Sequence, residues 1–376
     1  MKKICNSLFI YIQKEAVLVI SGLAAILTMF FVPPTLSYIT YIDFRVLGLL
    51  FCLMAVVSGL NQTGIFVLLS EKMLMHVANV RSIALVLILL CFFSSMWITN
   101  DVALITFVPF AILILTMTGH TSYLIIIIVL QTIAANLGSM LTPVGNPQNL
   151  YLYSEYNITI NEFLSITLPY TLLSLLLICI SVLFIPKEHI SFTITDTNKT
   201  DKQKPYIIAM YSGLFLVCLA CVLRLVDDRV TILIVFLCIL IFDRTVLKKV
   251  DYSLLLTFVC FFLFVGNIGN IPVIRDFLAS LLRGREFILS MLASQVISNV
   301  PAAVLLSAFT DDYKAMILGT DLGGLGTLVA SLASLISYKF YSRTSGANSL
   351  KYLGIFTLYN LGFLFILCLS YYILNL

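Results

Sequence analysis

The chain has 376 residues, 61% of them hydrophobic and only 11% charged, with a net charge of +4 and a mean hydropathy of +1.08. A soluble domain carries about 25% charged residues. So few charges cannot cover a globular surface, which excludes soluble enzymes, nucleic-acid-binding proteins and secreted disulfide scaffolds. The composition specifies an all-α polytopic membrane protein.

A crossing helix takes roughly 17–25 apolar residues. The runs 16–33 and 44–60 predict two spans, and the mixed stretch 61–80 suits a helix lying at the interface. Residues 82–118 are apolar on both sides of a polar point at Thr99 and Asn100. They look too short for two crossings and predict a re-entrant hairpin. The stretch 121–153 is long but interrupted by Asn136, Gly138, Pro143, Gly145, Asn146 and Pro147, which predicts a broken transmembrane helix. A span at 163–185 ends the first half.

A polar loop follows at 186–205, of which 191–205 reads as a cytosolic linker. The second half, 206–376, then offers spans at 206–223, 230–246 and 252–270 and an interfacial stretch at 271–285. It goes on to a second hairpin at 286–310, a second broken helix at 314–339 and a last span at 352–374. Counting the broken helices, nine crossings put the termini on opposite sides. With the N-terminus inside, fifteen of the 22 Lys and Arg fall on the cytosolic side, which predicts a cytoplasmic N-terminus and an outside C-terminus.

The order of events in 1–190 recurs in 206–376. Ala135–Thr142 lies over Thr320–Thr327 without a gap, pairing Asn136 with Asp321, Gly138 with Gly323 and Thr142 with Thr327. The hairpin tips pair Thr99-Asn100 with Ser298-Asn299. The extra span at 206–223 flips the second copy, so an inverted repeat with two re-entrant hairpins and two broken helices is expected, an architecture common among secondary transporters.

Sorting the 18 acids sharpens the functional reading. Sixteen fall in predicted loops or at membrane edges, and only Asp101 and Asp321 fall deep in the bilayer, with no Lys, Arg or His beside them. An ionisable residue there costs about 2.5–3.5 kcal/mol on insertion scales, so it points to function. Each sits at a break, where unpaired backbone groups can hold ions; the plainer alternative is that each only caps a half-helix. Neutral polar residues crowd the same places: Asn136, Ser139, Thr142, Asn146, Gln148 and Asn149 in the first half, and Ser298, Asn299, Thr327, Ser331 and Ser334 in the second. Asn100, Asp101, Asn299 and Asp321 are the candidate Na⁺ ligands. The nine cysteines are scattered, and Cys218-Leu-Ala-Cys221 sits mid-helix without a partner pair, a packing pattern. No cofactor is expected beyond a coupling Na⁺ or H⁺.

At SSMWITNDVALITFVPF (94–110), ANLGSMLTPVGNPQNL (135–150), SQVISNVPAAVLL (294–306) and GTDLGGLGTLVASLASL (319–335) the chain resembles the ion transporter superfamily. That group includes divalent-anion/sodium symporters, citrate carriers, arsenite permeases and a branch of sodium/proton antiporters. The resemblance implies hairpin tips that, with the broken-helix loops, hold substrate carboxylates and two sodium ions, and it implies a homodimer. Asp101 stands where the tip pattern has Thr, and Val300 removes a hydroxyl. Both departures weaken a dicarboxylate reading, and the Asn100-Asp101 tip with the Gly-Thr-Asp-Leu-Gly break at 319–323 looks closer to the arsenite permease and antiporter branches.

The expectation is therefore a secondary active transporter in the cell membrane and not an enzyme. It would move a small anion, carboxylate or inorganic oxyanion, by alternating access coupled to Na⁺ or H⁺. Arsenite/antimonite efflux or Na⁺/H⁺ exchange on the same scaffold is the alternative, and an intramembrane aspartyl protease is a remote one. Expected partners are the lipid bilayer and the anion, with no nucleic acid.

Overall fold

The structure, a computed structural model, describes residues 15–74, 77, 79–189 and 205–374. Apart from Pro205, the linker expected at 191–205 lies outside the described residues. Within them the chain is helical, with no strand and one isolated bridge between Asn79 and His189.

In the first half α1 (Ala16–Met29), α2 (Tyr38–Tyr41), α3 (Phe44–Gln62) and α4 (Ile65–Leu74) precede the first helical hairpin, α5 (Val80–Ile98) and α6 (Asn100–Met117). The first broken helix is α7 (Leu124–Ser139) and α8 (Pro147–Glu155), and α9 (Ile160–Leu183) follows. The second half runs α10 (Pro205–Val222), α11 (Asp228–Phe242), α12 (Tyr252–Gly269) and α13 (Pro272–Leu282). Its hairpin is α14 (Glu286–Ile297) and α15 (Asn299–Ser307), its broken helix α16 (Tyr313–Leu322) and α17 (Leu332–Ser342), and α18 (Ser349–Leu374) ends it.

Most boundaries have a local cause. Asp43, Asn79, Asp227, Asp251 and Asp312 each accept a backbone N–H in the first turn of α3, α5, α11, α12 and α16. Pro147 at the first position of α8 starts that half-helix without wasting a donor.

Two length expectations are corrected. The arms of the first hairpin have 19 and 18 residues, about 27–28 Å at 1.5 Å per residue, so each is long enough to reach across a bilayer. The turn consumes only Thr99, which leaves the arms longer than the sequence pattern implied. Conversely, the spans expected at 16–33 and 230–246 give helices of 14 and 15 residues, and α11 stops at Phe242 where Asp243 and Arg244 begin. Among the described residues, eight stretches are long and apolar enough to cross: α3, α5, α6, Thr121–Ser139, α9, α10, α12 and α18.

The helices pack in two groups. One joins α1 to α12 and α3 to α10 and α11; the other gathers both hairpins, both broken helices, α9 and α18. In the second group α7 is buried almost all round and forms the axis against α5, α6 and α17. The outer half-helices are exchanged between the halves: α8 packs on α15 and α16, while α17 packs on α6 and α7. That exchange places the two breaks against each other.

Candidate functional site

Each hairpin turns through one residue in the same unusual conformation. Thr99 has φ 70° and ψ 150°, and Ser298 has φ 74° and ψ 157°. That region is essentially reserved for glycine and costs about 1–3 kcal/mol, so the surroundings must hold it. The restraint is the next residue's amide, which is tied to a carbonyl of the following break: Asn100 N donates to Gly145 O at 3.1 Å, and Asn299 N to Ala330 O at 3.0 Å. Both Asn side chains fold back, Asn100 Oδ1 accepting from Asp101 N and Asn299 Oδ1 from Val300 N, each at 2.9 Å.

Other contacts repeat in step. Thr142 Oγ1 donates to Met96 O, as Thr327 Oγ1 does to Gln295 O at 3.0 Å. Gly138 faces the Phe92 carbonyl and Ser95, and a Cβ there would lie 2.1 Å from Phe92 O. Gly323 faces Ser294 in the same way, its Cβ position 2.7 Å from Ser294 Cβ. The residues aligned from sequence thus hold equivalent places.

Between the breaks runs a polar network that crosses from one half to the other. Asn136 Oδ1 accepts from Asn100 Nδ2 at 3.0 Å and from Ser331 Oγ at 3.1 Å. Its Nδ2 donates to Gly324 O at 3.4 Å and Ser334 Oγ at 3.5 Å. Asp321, only 3% exposed, receives Asn146 Nδ2 at 3.3 Å and Gln148 Nε2 at 3.4 Å on Oδ1. Asn146 also reaches Ser139 Oγ at 3.2 Å.

Asn100, Asp101, Gln148, Asp251, Asn299 and Ser331 line one narrow cleft with about 20 Å³ of free space, room for a single water-sized group. Both hairpin tips meet there. The four candidate Na⁺ ligands do not form one cluster: Asn100, Asp101 and Asn299 face the cleft, while Asp321 lies behind Gln148. Thr99, Ser298, Gly138, Thr142, Gly145, Gly323 and Thr327 hold the tips and breaks in shape.

Two residues of the site escaped the sequence pattern. Asp251 reads as a helix cap and is one, its carboxylate accepting Leu254 N at 3.0 Å, yet it also lines the cleft beside Asp101. Gln295 holds the second break open, donating to Gly323 O at 2.7 Å and Leu325 O at 2.8 Å and accepting from Thr327 N at 2.9 Å. A glutamine inside an apolar helix was the available signal for it.

A helical membrane protein with paired breaks, strained tips and a buried polar network between two halves is built as a transporter. The citrate transporter family model matches residues 8–333, and the chain belongs to that family. It is 34% identical to an uncharacterized transporter of Methanocaldococcus jannaschii over 300 residues, 79% of this chain and 81% of that protein. It is 30% identical to the inner membrane protein YbiR of Escherichia coli over 317 residues, 82% and 83% of the two chains. A shorter match, 30% over 128 residues, covers 33% of this chain and 14% of a low-affinity phosphate transporter of Saccharomyces cerevisiae.

Proposed function

We propose that this chain is a secondary active transporter that moves a small carboxylate or inorganic oxyanion by alternating access, coupled to Na⁺ or H⁺. The observation that carries the reading is the convergence of both hairpin tips on one cleft, backed by a network whose bonds pass between the halves. Amide donors at Asn100, Gln148 and Asn299 suit an oxyanion, and a bound cation would offset Asp101. The free space fits an occluded form, so substrate access requires the two helix groups to shift. The family's description and the phosphate transporter among the relatives support an anionic cargo. The matched contacts support an inverted repeat of 1–190 and 206–376. The reading places it in a cell membrane with the N-terminus inside and the C-terminus outside, on the distribution of Lys and Arg, and pairs two copies, on the family resemblance.

A specific observation favours the alternative of Na⁺/H⁺ exchange. The cleft presents two carboxylates, Asp101 and Asp251, and among the described residues no Lys, Arg or His lines it. Uptake into proteoliposomes decides between them, with citrate, phosphate and arsenite offered separately under a sodium gradient and a proton gradient. Concentrative uptake of one anion supports the first reading. Gradient-driven sodium flux with no anion dependence overturns it.

A further inference from the structure

At one end of the second helix group, α17 closes against α6 around a cavity of about 360 Å³, apart from the cleft between the hairpin tips. Pro109 and Ile112 of α6, Leu124 of α7 and Phe340 of α17 make its apolar wall. Thr116, Thr121, Arg343 and Ser345 stand at its rim. An apolar wall that ends in a cation and hydroxyl groups matches an amphipathic ligand with an anionic head.

The wall continues along α6. Ile105, Pro109, Ile112 and Thr116 recur at i, i+4, i+7 and i+11, so they share one helix face. Ile105 is 44% exposed, which keeps the track open beyond the cavity. From Thr116 to Ile105 the rise is about 16 Å at 1.5 Å per residue. That is close to half of the roughly 30 Å hydrocarbon core, the depth one acyl chain covers in its own leaflet.

The rim is positive. Lys339 stands one turn before Arg343 on α17, and Tyr341 stacks on Tyr352 at 4.8 Å, which brings Lys351 to the same end. The sequence holds no Asp or Glu from 102 to 154 or after Asp321, so α7, α17, α18 and all of α6 past Asp101 offer no carboxylate. Glu188, which reaches Tyr123 just before α7, is engaged by that hydroxyl and by His120. Among the described residues no carboxylate pairs with Arg343. Its exposed guanidinium keeps its N–H groups for a ligand. The Lys and Arg distribution that predicts a cytoplasmic N-terminus puts this end on the cytosolic side, where anionic lipid is found.

We propose that this cavity binds one anionic phospholipid, its phosphate at Arg343 and an acyl chain laid along Ile112, Pro109 and Ile105. The lipid ties α17, which starts at the second break, to α6, which starts at the first hairpin tip. Such binding is independent of what the chain carries and is measured without transport.

Native mass spectrometry of the purified full chain, titrated with long-chain phosphatidylglycerol, tests the site. One molecule should bind in preference to phosphatidylcholine. Arg343→Gln should weaken it about fivefold, the worth of one basic residue near a membrane surface. Arg275→Gln, at an exposed arginine on α13, should bind as the wild type does. Phosphatidylglycerol held no better than phosphatidylcholine, or held equally by Arg343→Gln and the wild type, overturns the proposal. Equal binding of a short-chain phosphatidylglycerol, or displacement of the lipid by inorganic phosphate, overturns it too, because the headgroup alone then accounts for the binding. An equal loss in Arg275→Gln assigns the lipid to diffuse surface charge and also overturns it.

Discussion

Replacing Thr99 by glycine tests whether the hairpin tips store strain. Thr99 holds φ 70° and ψ 150° and makes no side-chain cap bond, so Thr99→Gly removes about 1–3 kcal/mol of conformational cost. Glycine also loosens the unfolded chain, which takes back about 0.4–1 kcal/mol. The net is a stabilisation of about 1 kcal/mol. The equivalent change at the other tip behaves differently, because Ser298 Oγ reaches Ala330 O at 3.3 Å and Asn299 Oδ1 at 3.4 Å. Losing these bonds costs roughly 0.5–1.5 kcal/mol and brings Ser298→Gly close to neutral. Thermal melting in detergent can be followed by a thiol-reactive dye, since Cys52, Cys91, Cys218 and Cys221 are buried and free. Thr99→Gly should raise the midpoint by about 2–4 °C, with Ser298→Gly near wild type. A lower midpoint for Thr99→Gly, or a larger rise for Ser298→Gly, refutes the argument that the tips are held against their own preference.

Gly138→Ala drives a Cβ to 2.1 Å from the Phe92 carbonyl oxygen and should cost about 1–3 kcal/mol of stability, while Gly213→Ala, with nothing within 4 Å, should be neutral or slightly stabilising; equal melting points for the two variants would contradict the packing. Gln295→Met copies Met96, its counterpart in the first half, and strands Gly323 O, Leu325 O and Thr327 N, so a loss of at least about 2 kcal/mol is expected; an unchanged melting point shows that the second break stands without it. Cysteines at 100 and 299 in a cysteine-free background should crosslink with a short reagent, because both positions line the cleft; no crosslink in any condition separates the tips.

The breaks were legible because glycine and proline mark them and because each polar residue that fills them is out of place in an apolar run. The gapless alignment of Ala135–Thr142 with Thr320–Thr327 carried through to matched hydrogen bonds at Thr142 and Thr327 and at Gly145 and Ala330. The arms of the first hairpin, 19 and 18 residues, were misjudged because its turn takes only Thr99, in a backbone conformation that Thr rarely adopts, and nothing in its identity announces it; the second hairpin, with arms of 12 and 9 residues, is as short as expected. Asp251 was hidden by doing two things at once: its sequence context, after Lys248 and Lys249, describes a membrane-edge cap, and its place in the cleft depends on α12 packing against α15. Asp321 was singled out by its charge and its place at a break in an apolar run. Its separation from the cleft by Gln148 is a tertiary fact that spacing along one helix does not encode.

The exchange of outer half-helices sets a timetable for biogenesis. Asn136 and its partner Ser334 are 198 positions apart in the chain, so at about 5–20 residues per second of synthesis the first break waits on the order of 10–40 s for the groups that satisfy it. Until then Asn136, Asn146 and Gln148 sit in an inserted but incomplete half, where water or an insertion factor must take the place of Ser331, Ser334 and Asp321. A chain released early, or cut in the region between the halves before α16 and α17 arrive, carries an open polar seam into the bilayer and should be recognised as damaged by the cell's membrane proteases.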